Sequence, residues 1–403
     1  MFLKIVIIFA FIVKNFAFEF NGPSLPNSNF IPMWNAPTES CKEKWGVDPQ
    51  LSKYGIVHND QQIFHGKFIN ILYPKFGLWP YYDDDGTPLN GGLPQLGNLD
   101  SHLQKVASDI QMLIPDVDYQ GLTIIDWEEW RPIFDRNWDH LSLYRTESMK
   151  LVQKEHPIWS KQQIETEARK EFETAAMKYM QGTIMTVRSV RPKALWGYYG
   201  FPRCYNITLP SYECSQKTIE QNDQLSWLFN SSTVIFPSIY LSPNLKYNKT
   251  TYAKGNILES FRVAKIDNEH RLPVFPYVRV VYALSEMFLN KADMYATVTQ
   301  SAELASSGVV IWGSSEDQNK DFCIQLSNYI AEFFGPLVQT LNEIAQDCGN
   351  EYCTSSHGRC QFRLDTAKSY EKHVLLELKE KWTFLECICK DGWTGKACEK
   401  STF

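Results

Sequence analysis

The sequence predicts an α/β fold: a distorted, TIM-like β/α barrel of about seven strands, followed by a small C-terminal module stapled by disulfides. Three observations predict it. Short β-rich apolar runs recur at IPMWNAP, INILYP, GLTIID, ALWGYYGF, TVIFPSIYL, PVFPYVRVVY and GVVIWGSS, with helical patterns between several of them; such alternation builds a parallel sheet with helical crossovers. No glycine-rich phosphate loop follows any of these runs, and this many units over roughly 300 residues suits a closed barrel better than an open doubly wound sheet. Lastly, six of the ten cysteines fall at or after Cys348.

The elements follow in order. The opening MFLKIVIIFAFIVKNFAF places Lys4 before an apolar run too short to span a bilayer, and reads as a secretory signal peptide over residues 1–18. Residues 19–345 are the expected barrel. Leu103, Val106, Ile110 and Leu113 share one face of the helix that precedes Gly121. Ile164, Ala168, Phe172, Ala175, Tyr179 and Ile184 do the same on a long helix that ends before Pro192. Residues 346–403 form the module, too small to fold without bridges. Its six cysteines, Cys348, Cys353, Cys360, Cys387, Cys389 and Cys398, allow about fifteen pairings by spacing alone.

Composition bounds the function. An even cysteine count behind a signal peptide fits an oxidising compartment. The sequons at Asn206, Asn230 and Asn248 are expected glycan sites on a secreted protein. A net charge of −6 argues against a nucleic-acid partner, although local basic patches can still hold an anion. No later run has membrane-spanning length. The eight histidines lack zinc-ligand spacing, and no G-x-S-x-G elbow occurs, so neither a metal site nor a cofactor is expected.

The chemistry gathers at GLTIIDWEEWRPIF. The run Leu122 to Ile125 ends in three acids, two tryptophans and an arginine within six positions. Reactive residues of a β/α barrel come from the C-terminal ends of its strands. Alternation along an extended chain points Asp126 and Glu128 one way, and Trp127 and Glu129 the other. Two carboxyls side by side in a partly apolar pocket do not both ionise easily, so one keeps its proton near neutral pH. Cleavage of a glycosidic bond needs such an acid. Acids after a strand also serve as helix caps or solvated loop residues. Other strand ends carry matching chemistry: Tyr198 and Tyr199, Tyr240, and Trp312 with Ser314 and Ser315. Aromatic platforms with polar edges suit sugar rings.

The motifs IDWEEWRPIFDRNWD, LWGYYGFPRCYN, NDQLSWLF, PSIYL, FRVA and VIWGSSED, with NGGLPQLGNL upstream, resemble the hyaluronidases of glycoside hydrolase family 56, tissue and venom types alike, the arthropod venom type most. The segment CICKDGWTGKAC resembles the end of an epidermal-growth-factor-like module. The first resemblance implies endo-hydrolysis of β-1,4 bonds in hyaluronan with retention, the substrate's own acetamido oxygen acting as nucleophile. It makes Glu128 the acid and base, and Asp126 the residue that holds the acetamido group. Tyr199 and Tyr240 position that group, Trp312 floors its pocket, and Ser314 contacts sugar. It also implies the bridges Cys41–Cys323 and Cys204–Cys214. The second resemblance implies Cys348–Cys360, Cys353–Cys387 and Cys389–Cys398. The interval from Cys360 to Cys387 is longer than such modules usually have.

One position departs from the pattern. Many relatives carry a basic residue where this chain has Asn256, six positions before Arg262. If that residue grips the polyanion, Asn256 weakens the grip, and Arg131, Arg203 and Lys254 are candidates to compensate. The expected partners are hyaluronan and, as a second polymer, chondroitin sulfate, acted on by a secreted monomer. Two rivals remain at this stage. One is an inactive glycosaminoglycan-binding relative. The other is a different hydrolase of the same fold, a chondroitin hydrolase or a chitinase, although of the chitinase acid series only the final D-x-E is present.

Overall fold

The computed structural model describes residues 30–206, 213–243, 248–265, 271–304, 306–314, 319–354, 357–362, 385–389 and 392–402. The expected leader lies outside these residues, as do Ser315 and most of the Cys360–Cys387 interval.

Strands β1 (Ile31–Asn35), β2 (Val57–His58), β3 (Ile69–Leu72), β4 (Leu122–Ile125), β5 (Leu195–Tyr198), β6 (Tyr277–Val278) and β7 (Gly308–Trp312) form two parallel sheets, ordered β2-β1-β7-β6 and β3-β4-β5. The segment 233–241, TVIFPSIYL, joins the sheets without forming a regular strand. It makes single parallel bridges, Phe236 to Tyr199 on one side, Ile235 to Val274 and Ser238 to Tyr277 on the other. Two of the runs expected as strands are cut short here for one reason. Pro237, Pro273 and Pro276 have no N–H to give to a ladder. Their carbonyls still accept: Tyr277 N–H donates to Pro237 O at 2.7 Å, and Ile235 N–H to Pro273 O at 2.9 Å. Between β2 and β3 no ladder forms among the described residues. The side chain of Asn59 spans that gap, donating to Ile69 O at 2.8 Å and accepting from the N–H groups of Phe68 and Ile69.

Helices cover the outside. On α1 (Leu99–Leu113), capped by Asn98, Val106 and Ile110 are buried as expected, but Leu113 is 40% exposed because the helix ends there and Ile114 turns inward instead. On α2 (Lys161–Val190) a Ser160–Gln163 capping box starts the helix, and Ala176 rather than Ala175 is buried. Helix α3 (Lys249–Ala264) starts at Asn248, whose side chain accepts from Thr251 N–H. Helix α4 (Gly335–Glu351) runs unbroken through the expected domain boundary at 345/346 and carries Cys348.

Side-chain alternation splits the core into two layers. Ile31, Met33, Ile69, Ile71, Leu122, Ile124, Leu195, Val234, Phe236, Phe275, Tyr277 and Val310 fill the barrel interior. Residues between them, such as Trp34, Ile125, Trp196, Tyr198 and Ile311, pack outward against helices. At one inward position a glycine is required: a Cβ on Gly197 would stand 2.4 Å from Val234 O and against the Phe236 ring.

The bridges are Cys41–Cys323, Cys204–Cys214, Cys348–Cys360, Cys353–Cys387 and Cys389–Cys398. In the C-terminal module, 358–362 pairs antiparallel with 385–389, and Arg271 of the barrel meets Glu386 at 3.1 Å.

Candidate active site

Extending each inward series of the barrel by one or two residues past its strand gives the site. The series 122, 124 leads to Asp126 and Glu128, and 69, 71 leads to Tyr73. The series 195, 197 leads to Tyr199, and 234, 236 to Ser238 and Tyr240. Finally 275, 277 leads to Arg279, and 310 to Trp312 and Ser314. Alternation alone therefore gathers these side chains at the C-terminal mouth of the barrel.

Asp126 keeps its backbone in the sheet, its N–H donating to Leu72 O at 2.9 Å. Its carboxyl is half-buried, and Oδ1 is buried with no hydrogen-bond partner. Desolvation, and then the charges of Glu128 and Glu129, push its pKa up to about 8. Glu128 is exposed to the groove. Burial within the pair thus falls on Asp126, which holds the proton of the free site at neutral pH. Glu129 is half-buried and its pKa is also raised, by desolvation first and then by Asp84 and Glu128.

The outward partners of this segment explain its tryptophans. Trp127 stacks on Trp79 with ring centres 4.2 Å apart, and Trp130 meets Trp127 edge-on at 5.3 Å. Trp130 donates its indole N–H to Pro80 O at 2.8 Å. Behind them His102 Nδ1 accepts from Leu78 N–H, and burial lowers its pKa to about 4, so it stays neutral. An aromatic wedge therefore anchors one side of the DWEEWR segment while the carboxyls of Asp126 and Glu128 face the groove. Arg131 lies 4.9 Å over the Trp138 ring and donates to Arg136 O at 2.7 Å.

The opposite wall is aromatic. Tyr199 is buried and its hydroxyl bonds Ser238 Oγ at 3.1 Å. Its pKa is raised, by desolvation first and then by the Glu128 charge. Tyr240 lies 6.1 Å from Tyr199 and stacks on Trp312 at 6.2 Å. Trp312 donates its indole N–H to the Tyr73 hydroxyl at 3.0 Å. Ser314 is half-buried just beyond Trp312. Tyr198, the other half of the YY pair, points away and donates to Met180 O on α2. Among the described residues no group of three or more His, Cys, Asp or Glu side chains is placed to hold a metal ion.

The model of the glycoside hydrolase family 56 hyaluronidases matches residues 19–381. The chain belongs to this hyaluronidase family. It is 38% identical over 413 residues to hyaluronidase-1 of Homo sapiens, covering 95% of each chain. It is 34% identical to a hyaluronidase of the snake Crotalus adamanteus, covering 94% of this chain and 92% of that one. Among solved structures it is similar to bee venom hyaluronidase in complex with a hyaluronic acid tetramer, at 38% identity and a TM-score of 0.72, over 77% of this chain and 99% of the other. Membership makes this chain a glycoside hydrolase with the TIM-like barrel of its family. No helix among the described residues is long and apolar enough to cross a membrane.

Asn256 does not face the groove. It is 2% exposed, on α3, where its Oδ1 accepts from Cys204 N–H at 2.9 Å and its Nδ2 donates to Asn206 Oδ1 and Tyr252 O. A neutral amide suits this site because it both donates and accepts. Of the three candidate cations, Lys254 is buried on the same helix, Arg131 is turned onto Trp138, and Arg203 lines a small pocket with Glu128 and Tyr199. Asn206 is also 2% exposed, its amide hydrogen-bonded to Thr251 O and Tyr252 O, so a glycan there would have to open this packing. Asn230 and Asn248 are exposed.

Sequence reasoning missed Tyr73, Ser238, Tyr277 and Arg279. The signal for Tyr73 was present, since it directly follows the INIL strand. Ser238 and Arg279 were hidden by the prolines that interrupt their strands.

Proposed function

We propose that this hyaluronidase-family chain cleaves β-1,4 bonds within hyaluronan, with retention, by substrate-assisted catalysis at Glu128 and Asp126. The observation that carries the reading is the divided environment of the pair: a half-buried Asp126 that keeps its proton up to about pH 8, beside an exposed Glu128, under an aromatic wall.

The proton follows from the environments. When an N-acetylglucosamine unit docks, its amide N–H donates to Asp126, which favours the carboxylate there. The proton that Asp126 gives up passes to Glu128, whose carboxyl the docked sugar has cut off from water, and Glu128 then donates it to the glycosidic oxygen. The acetamido oxygen attacks the anomeric carbon, and the bond to the leaving oxygen breaks as Glu128 protonates it. The positive charge of the resulting oxazolinium lies beside Asp126. Water then attacks the same carbon and gives a proton back to Glu128, restoring the original configuration. Tyr199 and Tyr240 position the acetamido group, Trp312 floors its pocket, and Ser314 contacts the sugar chain.

On the same reading the protein is secreted as a monomer, with glycans on Asn230 and Asn248, and cleaves chondroitin sulfate as a second polymer. The deciding experiment is proton NMR of hyaluronan digestion. A first-formed β-anomer at a new N-acetylglucosamine reducing end is expected. A first-formed α-anomer would exclude the substrate-assisted route, and absence of any new reducing end would favour an inactive glycosaminoglycan-binding relative.

A further inference from the structure

The wall of the groove carries a cation that the mechanism above does not use. Arg279 follows β6 directly. Tyr277 pairs with Val310 and Val278 with Ile311, so Arg279 stands level with Trp312 on the neighbouring strand. It has the inward parity of Phe275 and Tyr277 and therefore emerges at the mouth of the barrel. Its guanidinium carbon lies 5.0 Å from the Trp312 ring centre and 5.8 Å from that of Tyr240. Its Nε is buried and has no hydrogen-bond partner. Arg203 also borders the site, in a small pocket with Glu128 and Tyr199, but two other arginines are committed elsewhere. Arg262 is committed to Glu259 and Asp223, and Arg131 to Trp138 and Arg136 O.

A half-buried guanidinium held over two aromatic rings with an unused donor is costly unless an anion completes it. Its planar fork matches a carboxylate. We propose that Arg279 is a substrate-binding residue that pairs with the carboxylate of a uronic acid unit while Tyr240 and Trp312 hold the neighbouring N-acetylhexosamine. This rests on the hyaluronan reading and deepens it. The polymer alternates an amide-bearing and a carboxylate-bearing sugar, so an acetamido pocket walled by Trp312 puts the next unit's carboxylate within reach of the same wall. The cation-to-aromatic contact also keeps the long arginine side chain extended, which lowers the entropy lost on binding.

The test compares hyaluronan with its carboxyl-methyl-esterified form, using the parent, Arg279→Gln and Arg279→Lys at low salt. The parent should show a KM at least about tenfold higher on the ester, as expected when a charge-assisted contact is lost. Arg279→Gln should show that higher KM on both polymers and no longer distinguish them, its change in KM exceeding its change in kcat. Arg279→Lys should recover part of the discrimination, which also shows that the position tolerates substitution. A parent that treats both polymers alike overturns the proposal, as does an Arg279→Gln variant that discriminates as strongly as the parent. If the parent cleaves neither polymer, it is the proposed function that fails.

Discussion

The indole N–H of Trp312 donates to the hydroxyl of Tyr73 at 3.0 Å, tying the end of β7 to the end of β3 across the mouth of the barrel. The two side chains come from positions 239 residues apart. Burial raises the Tyr73 pKa to about 12, so the hydroxyl stays protonated and remains both donor and acceptor at working pH.

Tyr73→Phe should therefore leave Trp312 without its partner and loosen the proposed acetamido floor. The expected cost is about 1–3 kcal/mol, the range for a buried donor left unsatisfied. Because Trp312 is proposed to hold the ground state and the transition state alike, the loss should show mainly as a higher KM. Steady-state kinetics on hyaluronan, with thermal denaturation as the control for fold, checks this.

Glu128→Gln should abolish turnover while leaving stability unchanged. The side chain is exposed, and the amide keeps its shape but transfers no proton. A loss of roughly 10²–10⁴-fold in kcat is expected for a missing general acid. Reducing-end assays on the purified, folded variant decide it, and near-parental turnover would remove Glu128 from the mechanism.

Asp126→Asn separates stability from catalysis through pH. In the folded protein the Asp126 pKa is raised from 3.8 to about 8, so between those values the folded state binds more protons than the unfolded chain, and this group destabilises increasingly as pH rises. Asparagine carries no such penalty. The variant should lose activity, yet its melting temperature should gain on the parent's as pH rises from 3.8 towards about 8. Parallel melting curves for the two proteins across that window would show that Asp126 does not hold the proton.

Asn256→Arg should fail to fold well rather than bind substrate better. The position is closed by Cys204 N–H, Asn206 and Tyr252 O, and a guanidinium there would be buried without an anion. An uncompensated buried charge costs about 3–5 kcal/mol. Lower secreted yield and a lower melting temperature are expected, and normal stability with a lower KM would contradict the buried placement.

Loss of the Cys41–Cys323 bridge should destabilise the barrel as a whole. It joins residues 282 apart, and the chain-entropy account gives such a loop on the order of 5 kcal/mol as an upper figure. The paired Cys41→Ser, Cys323→Ser variant should unfold at lower denaturant than the parent, with unchanged specific activity below its transition.

The sequence by itself determined which strand ends bring acids and aromatics to the mouth of the barrel. The D-x-E after LTII, the tyrosine after LWGY and the tryptophan closing GVVIW are legible because alternation is a local rule: once a strand's inward residues are known, the next inward position is known too. Family membership was legible for a related reason, since long ordered motifs survive in the linear chain. What only the tertiary structure decided is which of those positions are dry. Asp126 and Glu128 share one parity, yet one is half-buried and the other exposed, because Asp126 is still tied to β3 through its N–H to Leu72 O while Glu128 lies beyond the ladder. Asn256 looked like a groove position from its spacing to Arg262, but α3 turns it towards the Cys204 loop, a contact 52 residues distant along the chain. Arg279 escaped notice because Pro273 and Pro276 obscure its strand, whose direction is set by pairing with β7 and with the 233–241 segment rather than by its own residues. Periodicity is written along a single strand. Burial, and with it pKa and the availability of a charge, is set by neighbours that only folding brings near.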